Sequence, residues 1–135
     1  MSTYQRFKTN PELEKNGIVL DLGEVGKFTI ARAGGANQKF EKRMAALTKP
    51  HRRAIQAGTI DQQILSEITA TAAAETIVLG WEGVTGPDGQ PLEFNVANCK
   101  QLLTDLPELF TEIVNAARDH TLYLQHIREE DAGNS

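Results

Sequence analysis

The stretch that most constrains the fold is a segment rich in glycine and proline, residues 77–94. It reads Ile-Val-Leu-Gly-Trp-Glu-Gly-Val-Thr-Gly-Pro-Asp-Gly-Gln-Pro-Leu-Glu-Phe. Gly80 predicts a helix end, because a residue without a Cβ adopts the left-handed conformation that terminates helices. Gly86-Pro-Asp-Gly89 fits a type I turn, and Val84 and residues 92–94 could pair beside it. We therefore expect a turn-rich loop between two helical halves.

Trp81 is the only tryptophan of the chain and stands at the corner of this loop. It can anchor the core where the two helical halves meet. It can also contact a partner, because tryptophan is favoured at binding hot spots. The first interpretation is favoured, and Trp81 is kept as a candidate partner-binding residue.

A chain of 135 residues suits one domain with a single core. The one cysteine, Cys99, excludes an internal disulfide and a cysteine-based metal cluster. Its helical spacing predicts a small core residue. The N-terminus is polar and lacks the apolar centre of a signal peptide. No apolar run approaches the ~20 residues that cross a bilayer, so we expect a cytoplasmic protein without a membrane partner.

The chain divides into three predicted parts. Residues 1–16 are expected to be flexible, 17–128 to form one domain, and 129–135 to be a disordered acidic tail. Within the domain, residues 17–34 predict a β-hairpin whose turn is Gly23-Glu-Val-Gly26. About four to five helices follow. The fold class is therefore α+β, predominantly α-helical, with an N-terminal hairpin.

The longest predicted helix begins at Thr59-Ile-Asp-Gln62, which has the form of a capping box with Thr59 as N-cap. Its apolar face is expected to run to Leu79, with Glu75 as the polar exception. The alanines and threonines of residues 69–74 allow another helix to pack closely. We interpret this small-residue stretch as a core contact.

Three further residues predict helix starts. Asn37 and Asn95 are plausible N-caps, and Pro107 suits the first position of the last helix. The strongest amphipathic pattern of the chain follows Pro107 and continues to Ile127. It predicts one long C-terminal helix.

The net charge of -4 conceals an uneven distribution. Residues 1–53 contain 11 Lys and Arg against 5 Asp and Glu, whereas residues 54–135 contain 3 against 13. Such asymmetry can steer partners or drive head-to-tail self-association. A homo-oligomer is therefore a possible state of the protein.

Six of the 14 basic residues lie in one segment, residues 39–53. Phe40 and His51 are interleaved with its cations, which raises the possibility of nucleic-acid binding. Against this, the whole chain is acidic, and Phe40 and Met44 are expected to face a core. A partner-facing surface is favoured, with a phosphate-binding surface as the alternative. The candidate partner-binding cations are Lys39, Lys42, Arg43, Arg52 and Arg53.

The sequence contains no pattern typical of a catalytic, cofactor or metal site. His120 and His126 lie six apart, whereas metal-binding pairs on a helix usually lie three or four apart. Cys99 has no base assigned to it, which a nucleophile would need. We expect no cofactor and no enzyme activity.

Three stretches in order resemble the tail assembly chaperones of long-tailed phages and prophages. The first is Phe28-Thr-Ile-Ala-Arg-Ala-Gly-Gly-Ala-Asn37 with Lys39-Phe40. The second is Ile77-Val-Leu-Gly-Trp-Glu-Gly-Val84 with Gly89-Gln-Pro-Leu92. The third is Leu102-Leu-Thr-Asp-Leu-Pro-Glu-Leu-Phe110 with Ala117-Arg-Asp119.

The resemblance implies a non-enzymatic role in the host bacterial cytoplasm. Members of that family bind the tape measure protein and keep it soluble until tail tube subunits polymerise around it. They are absent from the mature virion. Many are also made in a longer form by a translational frameshift, and the extension recruits the tail tube protein. Two alternatives remain: a structural tail or connector component, and a nucleic-acid-binding adaptor that uses residues 39–53.

Overall fold

The predicted hairpin is present in the computed structural model, which describes residues 2–125. Its strands β1 (Ile18–Asp21) and β2 (Lys27–Ile30) pair antiparallel. Leu20 lies opposite Phe28, and a 3-10 turn over 23–25 joins the strands. Phe28 and Ile30 are fully buried, so one face of the hairpin belongs to the core.

A third strand, β3 (Val78–Glu82), pairs antiparallel with β2 and gives the sheet order β1-β2-β3. The prediction of a helix through Leu79 that ends at Gly80 is therefore wrong. The helix ends at Thr76, and Gly80 lies within the strand. An apolar run with β-branched residues fits a strand as well as a helix. The free edge of β2 decides between them, because its backbone groups gain hydrogen-bond partners.

The helices pack on the face of this sheet that bears Phe28 and Ile30, and the predicted α+β class is confirmed. Two short helices, α1 (Thr3–Phe7) and α2 (Pro11–Asn16), precede the hairpin. In the part of the chain described, five named helices follow it: α3 (Lys39–Thr48), α4 (Arg52–Gln56), α5 (Gln62–Thr76), α6 (Val96–Asp105) and α7 (Pro107–Arg118). The core lies between the sheet, α5, α6 and α7, with Ile77, Leu103 and Ile113 at its centre.

Two of the predicted helix starts are confirmed. The Asn95 side chain accepts the backbone N–H of Asn98 at 2.7 Å, and Pro107 is the first residue of α7. The Thr59 cap is wrong. Asp61 caps α5 instead and accepts the N–H of Gln63 at 2.8 Å. Both side chains are suitable caps, and the local sequence does not choose between them.

Asn37 is also not the N-cap itself, since Gln38 holds that position in α3. The Asn37 side chain donates to the carbonyl of Arg32 at 2.9 Å and is buried. It thereby fixes the link between the sheet and α3.

The last helix is shorter than predicted, because α7 ends at Arg118. Asp119 then accepts the backbone N–H of Thr121 at 3.0 Å and its hydroxyl at 2.6 Å, which starts a 3-10 turn. These hydrogen bonds, the hydroxyl bond foremost, lower the pKa of the Asp119 carboxyl. The predicted continuation to Ile127 is wrong, because Asx-type hydrogen bonds compete with the helix.

The N-terminal segment predicted to be flexible contains α1 and α2 and contacts the rest of the fold. Glu14 is 2% exposed and pairs with Arg32, whose backbone N–H also donates to the Glu14 carbonyl at 2.9 Å. Asn10 donates its N–H to the carbonyl of Tyr123 at 2.8 Å, and the buried Tyr123 hydroxyl donates to Ile30 at 3.0 Å. The segment is therefore joined to both the sheet and the chain after α7. The predicted acidic tail, 129–135, lies outside the described residues.

Candidate partner-binding grooves

Trp81 is half-buried on β3 and packs edge-on against two phenylalanines. Its ring lies 6.1 Å from that of Phe28 and 5.0 Å from that of Phe94, centroid to centroid. Its indole N–H donates to the carbonyl of Leu92 at 2.8 Å. Trp81 therefore joins the sheet to the loop that follows, as an anchor does. A contact between Trp81 and a partner stays a prediction.

The candidate cations lie on α3 and α4, and the structure separates one of them from the rest. Lys39, Lys42, Arg52 and Arg53 are exposed. Arg43 instead donates to both carboxylate oxygens of Glu75 on α5. This pair explains the polar exception in the apolar face of α5, and it occupies the Arg43 guanidinium within the chain.

The structure adds a cation that the sequence reasoning missed. Lys15, at the end of α2, lines a shallow pocket of about 380 Å³ together with Lys39 and Lys42. Residues 36–38 form its floor. The tertiary contact between Glu14 and Arg32 brings residues 15 and 39 together, so no local sequence signal links them.

The loop between β3 and α6, residues 83–95, is held by hydrogen bonds along its length. The N–H of Leu92 donates to the Val84 carbonyl at 2.9 Å, which confirms the predicted ribbon contact. The N–H of Gly89 donates to the Gly86 carbonyl at 3.0 Å and closes the predicted turn. Gly89 has φ +77°, a conformation that favours glycine. Because these hydrogen bonds already order the loop, which forms one wall of a groove, a ligand that binds against it loses little free energy to ordering the loop.

This wall and α6 enclose a groove of about 330 Å³, here called the loop groove. It is lined by Thr85, Gly86, Pro87, Leu92, Asn98, Gln101, Leu102, Asp105 and Leu106. The α6 residues lie at spacings of three and four, so they share one face of that helix. The groove thus follows α6 for about two turns, or ~11 Å. Leu106 remains 45% exposed at its end.

A second groove of about 520 Å³ begins at the same leucine and is called the acidic groove. It is lined by Val25, Asp105, Leu106, Pro107, Glu108, Leu109 and Glu112. Val25, on the hairpin turn, is 51% exposed. Among the residues that the structure describes, three carboxylates and no cation line this groove. An apolar floor with an acidic rim suits a ligand with a basic and an apolar face.

Sequence reasoning identified neither groove, although it identified their boundary. The predicted break at Asp105-Leu-Pro107 is the corner where both grooves meet. An exposed leucine next to a helix break is a weak signal on its own, because exposed apolar residues are common. The opposing wall of the loop groove comes from residues 85–92, in the loop just before α6, and that of the acidic groove comes from Val25, which lies far away in the sequence.

The reactive groups of the described part are placed in structural roles. Cys99 is fully buried, and burial raises the pKa of its thiol to about 12. This confirms the predicted core position. The His120 ring stacks on that of Phe7 at 5.3 Å. Across residues 2–125, no group of three or more His, Cys, Asp or Glu side chains is placed to hold a metal ion. None of the helices described there has the length and apolarity to span a bilayer.

Comparison with known protein families matches residues 35–134 to the family described as YdaY prophage protein. The chain belongs to this prophage family. The match spans α3 to α7 and therefore includes the whole loop groove and every residue of the acidic groove except Val25. It confirms the phage or prophage character that the resemblance implied. No curated protein and no solved structure matches the chain.

Proposed function

We propose that this prophage protein is a non-enzymatic tail assembly chaperone of the host bacterial cytoplasm. It binds the tape measure protein, keeps it soluble and helps tail tube subunits to assemble around it. A longer frameshifted form recruits the tail tube protein. Membership of a prophage family and the resemblance of residues 17–128 to tail assembly chaperones support the proposal.

The observation that carries the proposal is the loop groove. A long helical chain such as a tape measure protein must cover its apolar face in water. A groove about two turns long receives the side chains at i, i+3, i+4 and i+7 of an amphipathic helix. Leu92, Leu102 and Leu106 offer apolar contact, while Asn98 and Gln101 offer hydrogen bonds.

The small size of this groove suits a temporary contact. About 330 Å³ holds only a few side chains, so one copy binds weakly. Many copies along one long ligand gain by multivalency. Tube subunits can then displace them one at a time.

The position of Cys99 supports a role without covalent chemistry. A thiol whose pKa is raised to about 12 is almost entirely protonated at neutral pH. The thiolate is the nucleophilic form, so Cys99 is a poor nucleophile.

Coexpression with the tape measure protein of the same prophage tests the proposal. We expect the chain to increase the soluble yield of that protein several-fold, and Gln101→Trp to abolish the increase. Gln101 is exposed on α6 and lines the loop groove, so a tryptophan there obstructs the groove without entering the core. Gln63→Trp is the matched control, because Gln63 is exposed on α5 and lines none of the grooves described above.

An unchanged yield with the wild-type chain would contradict the proposal. Equal effects of the two variants would contradict the assignment of the groove. Finding the protein in purified virions would favour the alternative of a structural tail component.

Nucleic-acid binding remains the second candidate, and one observation favours it. Lys15 joins Lys39 and Lys42 around one pocket, and Arg52 and Arg53 are exposed later in the same basic segment. A phosphate-binding surface predicts affinity for DNA that falls steeply with salt. Binding that is undetectable at low salt would remove this candidate.

A further inference from the structure

The charge asymmetry of the sequence corresponds to two separate surfaces. The first is the acidic groove. The second, here called the basic surface, comprises residues 49–56 at the end of α3 and on α4. Helices α3 and α6 both pack on α5 and make no comparable contact with each other. The two surfaces share no residue, and none of the helices described above contributes to both.

Across residues 2–125, neither surface is neutralised by an ion pair. In the described part, ion pairs join Arg32 with Glu14 and Arg43 with Glu75. The cations of the basic surface and the acids on the rim of the groove take no part in them. They are Lys49, Arg52, Arg53, Asp105, Glu108 and Glu112.

The two surfaces also match in their apolar content. Ile55 is 38% exposed on the basic surface and lies three residues from Arg52, on the same side of α4. The acidic groove presents Val25 and Leu106, which are about half exposed. One surface thus has an apolar side chain among cations, and the other an apolar floor among carboxylates.

We propose that the acidic groove binds the basic surface of a second copy of this chain. Ile55 of one copy then packs over Val25 and Leu106 of the next, and Arg52 and Arg53 face Glu108 and Glu112. The contact joins two different patches, so a pair of copies keeps one free acidic groove and one free basic surface. Such head-to-tail contacts form chains or rings. The inference does not depend on binding to the tape measure protein.

Charge determines how this contact responds to salt. Exposed ion pairs contribute little free energy each, so apolar contact supplies most of the affinity. The charges select the partner surface and accelerate the encounter. At about 0.1 M salt and above, exposed charges are screened beyond ~10 Å. We therefore expect association at low salt that weakens as salt is added.

Sedimentation velocity on reciprocal charge-reversal variants tests the proposal. One variant carries Glu108→Lys and Glu112→Lys, and the other carries Arg52→Glu and Arg53→Glu. At low salt we expect the wild-type chain to associate and each variant alone to bind itself about tenfold or more weakly. An equimolar mixture should associate again, because each reversed surface meets an opposite one on the other variant.

A control separates the groove from net charge. Glu67→Lys with Glu93→Lys changes the net charge by the same amount at exposed positions outside the acidic groove. This control should associate like the wild type. Circular dichroism of each variant reports whether it is folded, and the two reversed pairs lie on different helices. If one variant does not fold, the self-association of the other variant still tests the proposal.

Several results would overturn the proposal. The wild-type chain could remain monomeric at low salt. Either folded variant could associate as the wild type does, or the control could lose association equally. Failure of the mixture to associate would also refute the pairing of these two surfaces.

Discussion

Cys99 shows how a single buried group makes stability depend on pH. Its thiol has a pKa of about 12 in the folded protein, against 9.0 when it is free of burial. Between these values the unfolded chain releases a proton that the folded chain retains. The contribution of the buried thiol to the free energy of unfolding is therefore fully present below pH 9.0 and is lost as the pH rises towards 12.

Urea unfolding between pH 8 and 11 measures this effect on the wild type and on Cys99→Ala. One proton accounts for at most about 1.4 kcal/mol per pH unit. We expect the wild type to lose stability more steeply than the variant above pH 9, because alanine does not ionise. Parallel curves would show that the thiol is not buried as described.

Single residues also show what sequence reasoning captures. Asn95 and Pro107 were assignable because helix starts depend on neighbouring backbone groups. The role of Glu75 was not assignable, because its partner Arg43 lies on another helix. The same holds for Glu14, whose ion pair with Arg32 lies between two segments far apart in the sequence. The sequence predicts contacts between neighbouring residues, but it does not predict which distant residues form pairs.

At the scale of elements, α5 is the helix on which its neighbours pack. Ala70, Ala72, Ala73 and Ala74 are buried, and both α3 and α6 contact this helix. The small residues of this stretch were correctly interpreted as a core contact. Without long side chains between them, the helices can approach closely.

Enlarging one of these alanines tests the packing of α5. Ala73 is fully buried, and a leucine there has no space without displacing a neighbouring helix. We expect Ala73→Leu to lower the free energy of unfolding by about 1–3 kcal/mol, measured by urea denaturation. Ala45→Leu on the exposed side of α3 is the control and should change it by less than about 0.5 kcal/mol. Similar losses in both variants would contradict the packing described.

The errors at this scale share a cause. The spacing of apolar residues predicts that α5 continues into the residues of β3 and that α7 continues past Arg118, and the structure shows neither. In both places competing hydrogen bonds decide the structure: those of the β2 edge and those of Asp119 with Thr121. The periodicity shows which side chains are apolar. The hydrogen-bond partners of the backbone groups determine whether a segment forms a helix, a strand or a turn.

At the scale of the whole molecule, the α+β class and the charge division could be predicted. The grooves could not, because each depends on how a loop or turn folds against a helix, which no local pattern reports. The loop groove needs residues 85–92 folded against α6, and the acidic groove needs Val25 of the hairpin beside α7. The prophage family match includes α6 and α7 but begins after the hairpin.

Hydrogen exchange, with and without a helical segment of the tape measure protein, tests the central claim most directly. If that segment occupies the loop groove, the amides of residues 85–92 and 98–106 should exchange more slowly in the complex. Those of α3 and α4 should exchange as they do in the free protein. No change on mixing, or slower exchange confined to α3 and α4, would contradict the claim that the loop groove holds the partner.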